Sequence, residues 1–372
     1  MYIYPTADDY GYYTVGHNYK TYSKWDAIQE GIRRNFFPKW HFNDDVYSIY
    51  NWTEEPIESL DFLYQERAIQ LRNAYDYVIL MYSGGWDSSH TLQSFINAGV
   101  FPDEVFSFYS GHEKDSLLSQ EINNYTIPKL NFIKQQYPEI KVRSFDYSEF
   151  LIKEAPTVMN PLHDDYIFMY DNYMFPNKIF QDHIVSCITD WKNLVESGKR
   201  VALVYGIDKP LMRYCQGKWI TWFMDVAQSE ITTYLQHYGT YGEYRELFYW
   251  SPNAPKIPIK QAHKVMNYYK NDISIINHPE SNSEFGHKIS RHKITDIIYP
   301  TVQTQKFYTQ KPPTHAWGGR DWNFLKDDSF EISRRYWKAV DYIDKLLDPY
   351  WVNDTKYSKS GAKGQIVDYY LN

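Results

Sequence analysis

One stretch leaves this chain little structural choice. Asp76-Tyr77-Val78-Ile79-Leu80-Met81-Tyr82 runs directly into Ser83-Gly84-Gly85-Trp86-Asp87-Ser88-Ser89-His90. Residues 77–82 carry no charge and are long enough for one buried strand. Leu92, Phe95 and Ile96 then recur at helical spacing, and Asn97-Ala98-Gly99 supplies a stop. The order is therefore strand, glycine turn, helix.

The turn has the composition of an anion cradle. Residues 83–88 can aim successive backbone N–H groups at one point, at the positive end of a helix dipole. Gly84 and Gly85 let an anion approach without meeting a Cβ, and Ser83 and Ser88 add hydroxyl donors. Asp87 repels a phosphate, so its expected role is to hold a Mg²⁺ that bridges phosphates. The turn lacks the lysine of a Walker A sequence, which disfavours a kinase-type P-loop.

Ser-Gly-Gly-x-Asp-Ser after a buried strand resembles the PP-loop of the ATP pyrophosphatase superfamily. Its members include the synthetase domains of asparagine synthetases, GMP synthetases, tRNA-modifying synthetases and β-lactam synthetases. The resemblance spans about residues 58–215, and its specific part is the loop. It implies an α/β fold with a Rossmann-like (HUP-type) parallel sheet, and ATP and Mg²⁺ as cofactors. Ser83, Gly84, Gly85, Asp87, Ser88 and Ser89 would then hold the β,γ-pyrophosphate while a substrate oxygen attacks the α-phosphate.

The rest of the chain is consistent with a crossover fold. Residues 58–75 predict a helix with Leu60, Leu63, Arg67, Leu71 and Ala74 on one face. Strands are expected at Glu104–Tyr109 and Lys141–Phe145, with a helix over Asp115–Gln136 that Pro128 kinks or splits. This alternation argues for a parallel sheet with ligands at the carboxyl ends of its strands. By position, the resemblance puts Phe108 and Tyr109 against adenine.

Residues 151–177 read as irregular, and Lys178–Ser197 as an amphipathic helix ended by Gly198. A second buried strand then leads into Gly206-Ile207-Asp208-Lys209. Its place resembles the asparagine synthetase turn that carries Asp-Glu opposite the PP-loop and serves Mg²⁺ and pyrophosphate. Gly206 and Asp208 match that turn, while Lys209 replaces the second acid. The resemblance thus implies Asp87 and Asp208 as metal ligands. A lysine beside a polyphosphate balances charge as pyrophosphate leaves. Arg213 and Lys218 follow, each able to reach a phosphate or a carboxylate.

Toward the C-terminus, residues 219–237 are expected to be helical and the proline-rich 244–263 an extended connection, either a lid or wall of the acceptor site or a loop packed across the domain, with a helix from about Lys260 to Tyr269. His278, His287, His292 and His315 have no i, i+4 metal spacing. Gly318–Asp321 suggests a turn, Ser329–Leu347 a helix and 356–364 a basic tail. Among the first 57 residues a helix is expected near Trp25–Phe36. The expected organisation is an N-terminal extension (1–57), an ATP-binding domain (58–215) and a helical or irregular C-terminal region (216–372) that completes the acceptor site.

Composition narrows the function. The 372 residues suffice for one large domain or two modest ones. A formal charge of -7 disfavours nucleic acid as a partner. The 37 tyrosines suit an amphipathic core that buries rings and uses hydroxyls. The 2 cysteines, Cys187 and Cys215, cannot form the cysteine sets of the thiolation, deazaguanine or sulfate-reducing branches of the superfamily. No apolar run is long enough to span a membrane, and a soluble cytoplasmic protein is expected.

Residue 2 is tyrosine, so a glutaminase nucleophile at that position is absent. The expectation is an amide-forming ligase that turns a carboxylate into an AMP ester. The nitrogen would come from ammonia, an amine or a separate ammonia-supplying protein. The alternatives are a tRNA- or nucleotide-modifying synthetase and a nucleotide-binding module without turnover.

Overall fold

The computed structural model describes residues 2–22, 24–109, 122–150, 183–225, 242–283, 286–299 and 366–372. The expectations for 115–121, 151–182, 226–237, 318–321, 329–347 and 356–364 lie outside the described residues, as does His315.

In chain order the main elements are β1 (Tyr12–Val15), β2 (Tyr19–Thr21), α1 (Lys24–Arg34), β3 (Lys39–His41), α2 (Leu60–Ala74), β4 (Tyr77–Met81), α3 (Trp86–Asn97) and β5 (Glu104–Tyr109). There follow α4 (Ile127–Gln136), β6 (Lys141–Asp146), α5 (Thr189–Glu196), β7 (Val201–Tyr205), β8 (Leu211–Cys215) and β9 (Lys218–Met224). The remainder comprises β10 (Tyr244–Leu247), α6 (Lys256–Tyr269), β11 (His287–Lys288), α7 (Arg291–Ile298) and β12 (Ile366–Tyr370).

The central sheet has 5 strands in the order β10-β7-β4-β5-β6. Every pairing in it is parallel. Strands β4 and β7 are apolar along their length, and all of Val201–Tyr205 is buried, as expected for strands covered on both faces. The chain passes from β4 outward through β5 and β6, then returns to add β7 on the other side of β4. The order of strands therefore reverses between β4 and β7. The crevice beyond such a switch point is where open parallel sheets take ligands.

Helices α2 and α3 pack on each other and against β4, and α5 packs on β7. A π-helical turn at Ile122–Thr126 passes directly into α4, and Pro128 falls at the second position of α4, where the helix changes from one form to the other. The amphipathic stretch expected at 178–197 breaks at Ile188, which caps α5 in an extended conformation.

Two buried charges tie the layers together. Glu104, at the start of β5, accepts from Arg143 Nε at 2.7 Å, the Trp191 indole at 3.0 Å and the Tyr77 hydroxyl at 3.0 Å. Arg67 sits in the apolar stripe of α2 because β10 brings it a partner, with Nη2 2.7 Å from Glu246 Oε2. Tyr2 and Tyr75 also donate to Glu246. The N-terminal residues are thus part of the body: Tyr4 donates to the Ala74 carbonyl at 2.9 Å and Tyr13 to Asp225 at 2.7 Å.

The region after residue 215 departs from expectation. Residues 218–224 form a strand where a helix was expected, in a 4-stranded antiparallel sheet of order β11-β8-β9-β12. Gln216 (φ 48°) and Gly217 (φ 86°) turn back tightly, and this two-residue turn pairs Cys215 with Lys218. The residues between, Trp-Ile-Thr-Trp-Phe, are aromatic or β-branched and buried on both faces. An apolar run buried on both faces loses the alternation that marks a strand.

The proline-rich connection also differs. Tyr244–Leu247 enters the parallel sheet beside β7 rather than crossing the surface. Helix α6 begins at Lys256, because Pro258 falls within its first turn and is tolerated there.

Candidate functional site

The carboxyl ends of β4 and β7 lie side by side, with Met81 paired to Tyr205. The turns at 83–88 and 206–209 therefore leave the sheet together. Gly206 approaches so closely that a Cβ there would lie 2.9 Å from the Asp87 carbonyl carbon and 3.0 Å from Ser88 N. A glycine is needed because the backbone of the 83–88 turn fills the space.

The loop is braced from below. Gly84 has φ +71°, and a Cβ on it would meet Thr126 Oγ1 at 2.9 Å. Thr126 Oγ1 donates to the Ser83 carbonyl at 3.1 Å, and Lys129 Nζ donates to the Gly84 carbonyl at 2.7 Å. In a planar trans peptide the N–H points opposite its carbonyl. Holding these two carbonyls against α4 thus turns the N–H groups of Gly84 and Gly85 away from it. The Gly85 N–H meets Ser83 Oγ at a long 3.3 Å. Ser83 Oγ and Ser88 Oγ lie 3.2 Å apart, so both hydroxyls face the same pocket of the turn. Ser89 points elsewhere: its Oγ is buried against the Tyr82 hydroxyl at 3.0 Å, and its N–H closes the first turn of α3 on the Gly85 carbonyl.

Lys209 and Asp87 join the two turns. Lys209 Nζ forms an ion pair with Asp87 Oδ2, while the Tyr299 hydroxyl donates to Asp87 Oδ1 at 2.6 Å. Asp208 is buried, and its Oδ1 accepts from the Lys209 N–H at 2.6 Å. Two acids and one ammonium thus stand at the switch point, beside a loop of inward-braced carbonyls.

A buried aromatic cage supports Asp87 from behind. The Tyr249 hydroxyl donates to the Asp87 carbonyl at 3.1 Å and lies 2.8 Å from His90 Nδ1. His90 stacks on Tyr299 with ring centroids 4.2 Å apart and meets Tyr64 edge-on at 4.5 Å. Burial lowers the His90 pKa to about 3, so the ring is neutral in the folded protein. Burial and the Asp87 carboxylate push the Tyr299 and Tyr249 hydroxyls well above their ordinary value, which keeps both protonated and able to donate.

The remaining expected residues fall in two groups. Phe108 and Tyr109 end β5, next to β4, and are half-buried; Phe108 packs edge-on against Tyr147 at 5.6 Å. Arg213 lies on β8 of the antiparallel sheet, 3.4 Å from Asp368 and over the Trp222 ring. Sequence reasoning did not find Thr126, Lys129, His90, Tyr249 or Tyr299. Only His90 left a signal, since it stands one turn after Asp87 on the same helical face.

These features define an α/β protein whose two glycine turns meet at the switch point of a parallel sheet. No protein-family model matches the chain, and a search of curated proteins finds no match. Among the described residues no helix is long and apolar enough to cross a membrane.

Proposed function

We propose that the protein is an ATP-dependent ligase of the PP-loop pyrophosphatase type, releasing AMP and pyrophosphate. The observation that carries this reading is the meeting of Lys209 and Asp87 between two turns at the sheet's switch point. ATP would lie across the carboxyl ends of β4 and β7, its pyrophosphate on residues 83–88 and its adenine toward Phe108 and Tyr109.

The chemistry follows from that placement. An acceptor carboxylate oxygen attacks the α-phosphorus, the bond to the β-phosphate's bridging oxygen breaks, and pyrophosphate departs. Ammonia or an amine then attacks the acyl carbon, loses a proton and displaces AMP. Residues 83–88 hold the leaving group by backbone and hydroxyl donors, and Lys209 turns from Asp87 to the polyphosphate as charge builds there. Asp87 and Asp208 offer the hard carboxylate oxygens that suit Mg²⁺, and Asp87 becomes available as Lys209 leaves it. Mg²⁺ held by those acids would neutralise pyrophosphate charge. Arg213 lies with Asp368 on the antiparallel sheet, and a place for it in this scheme requires the acceptor to extend over that sheet.

The test is product analysis. The chain is incubated with α-labelled ATP, Mg²⁺, ammonium and a panel of carboxylic acids. AMP and pyrophosphate in equal amounts are expected. ADP as the product overturns the pyrophosphatase assignment, and tight ATP binding without AMP under any acceptor leaves a nucleotide-binding module in its place.

A further inference from the structure

A second set of chemically capable side chains lies where the turn at 279–282 meets the antiparallel sheet. His278 and His287 lack metal-type spacing in the chain, yet the fold joins them. His278 caps the short turn Pro279–Asn282, and its Nδ1 accepts from the Glu280 N–H at 3.3 Å. His287 opens β11, which pairs with β8 opposite Tyr214. The same hairpin anchors the turn: the Gln216 N–H donates to the Ser281 carbonyl at 2.7 Å. Ser281 Oγ in turn donates to the Ile275 carbonyl at 2.5 Å.

The result is a compact cluster. The two imidazole rings have centroids 3.9 Å apart, and His287 Nδ1 lies 3.6 Å from Glu280 Oε2. That nitrogen is buried and makes no hydrogen bond in the structure. One donor atom from each of His278, Glu280 and His287 lies within 4.8 Å of the other two.

We propose that His278, Glu280 and His287 form a binding site for a first-row divalent cation, with Zn²⁺ the best match. Two imidazole nitrogens and one carboxylate oxygen suit Zn²⁺, whereas Mg²⁺ and Ca²⁺ prefer all-oxygen sets. Bonds of ~2.1 Å in a tetrahedron place ligand atoms roughly 3.4 Å apart. The set therefore closes by about 1 Å or a little more on binding, from a spread of up to 4.8 Å. Glu280 is exposed, so its side chain can make most of that movement, while strand pairing and the capped turn hold the histidines. Three protein ligands leave a fourth position for water or an outside donor. An ion here clasps the 279–282 turn to β11, and its binding is independent of ATP.

The test uses the full chain, stripped with a chelator and titrated with Zn²⁺ by calorimetry. Wild type is expected to bind one equivalent that His278→Gln and His287→Gln each weaken at least tenfold. Glu280→Gln changes an exposed side chain, leaves the fold intact and is expected to weaken binding about tenfold. With Co²⁺ as the probe, wild type should show tetrahedral d–d absorption that the histidine variants lose. Unchanged Zn²⁺ affinity and stoichiometry across all three variants, or Co²⁺ spectra that do not change, overturns the proposal.

Discussion

Lys209, in the turn after β7, holds the carboxylate of Asp87 in the first turn of α3. The two residues are far apart in the chain, and each leaves the sheet at the end of a neighbouring strand. The pair ties the two turns together at the switch point. On the proposed reading this ammonium meets the charge of ATP's polyphosphate.

Lys209→Met removes that ammonium while keeping most of the side chain's length. Loss of one preorganised charge of this kind costs about 10²–10³ in kcat. AMP release should fall by that order, with ATP binding less affected, as read by steady-state kinetics with labelled ATP. A variant with unaltered kcat removes Lys209 from the reaction.

Asp87→Asn keeps the hydrogen bond from Tyr299 and the shape of the turn. AMP formation should be abolished and the unfolding midpoint should stay close to wild type. Circular dichroism melts and pyrophosphate release measured on the same sample separate the two effects. Retained activity means that Asp87 is not a metal ligand.

Gly206→Ala inserts a methyl group 2.9–3.0 Å from the backbone of Asp87 and Ser88. Backbone cannot swing aside as a side chain can, so the two turns must separate. A loss of about 1–3 kcal/mol is expected in urea unfolding, together with weaker ATP binding. An unchanged midpoint denies the close approach of the two turns.

His90 gives the protein a pH-dependent stability. Its pKa is about 3 in the fold against an ordinary value of 6.5, so below pH 6.5 the unfolded chain binds a proton that the native state refuses. Stability is full above pH 6.5 and falls as pH drops from 6.5 toward 3, with a slope that approaches about 1.4 kcal/mol per unit. His90→Gln should flatten the pH 5 to 7 portion of that slope in denaturant titrations, carboxylates being common to both proteins. Parallel slopes in the two proteins mean that the His90 ring takes up its proton in the fold over the same pH range as in the unfolded chain.

Arg67 and Glu246 are both buried, and removing one leaves the other's charge unanswered. Arg67→Met should cost about 3–5 kcal/mol, and adding Glu246→Leu should restore a large part of it. A double-mutant cycle in urea reads both values. Purely additive losses mean that the two residues are not coupled.

Local pattern made much of the core legible. The stretches 77–82, 104–109 and 141–145 and the buried run from 201 read as strands because each is short and carries β-branched or aromatic side chains. The two glycine turns were legible because glycine and small polar residues after a buried strand have few other uses. Residues 218–224 were not, since burial on both faces removes the alternation that marks a strand. The partners of Asp87 were not legible either: nothing near Tyr249 or Tyr299 in the chain reports that their hydroxyls reach α3.

The sequence by itself determined that a strand, a glycine turn and a helix follow one another at 77–97, and that a second buried strand ends in a glycine turn with polar side chains at 206–209. Those choices rest on interactions between near neighbours: φ/ψ preference, apolar periodicity and helix capping. Only the tertiary structure decided that β4 and β7 are adjacent and that Lys209 meets Asp87. It alone brought His278 to His287 and gave Arg67 its partner on β10. Such contacts depend on the order in which strands enter a sheet, and that order is set by burial summed over the whole chain rather than by any one segment.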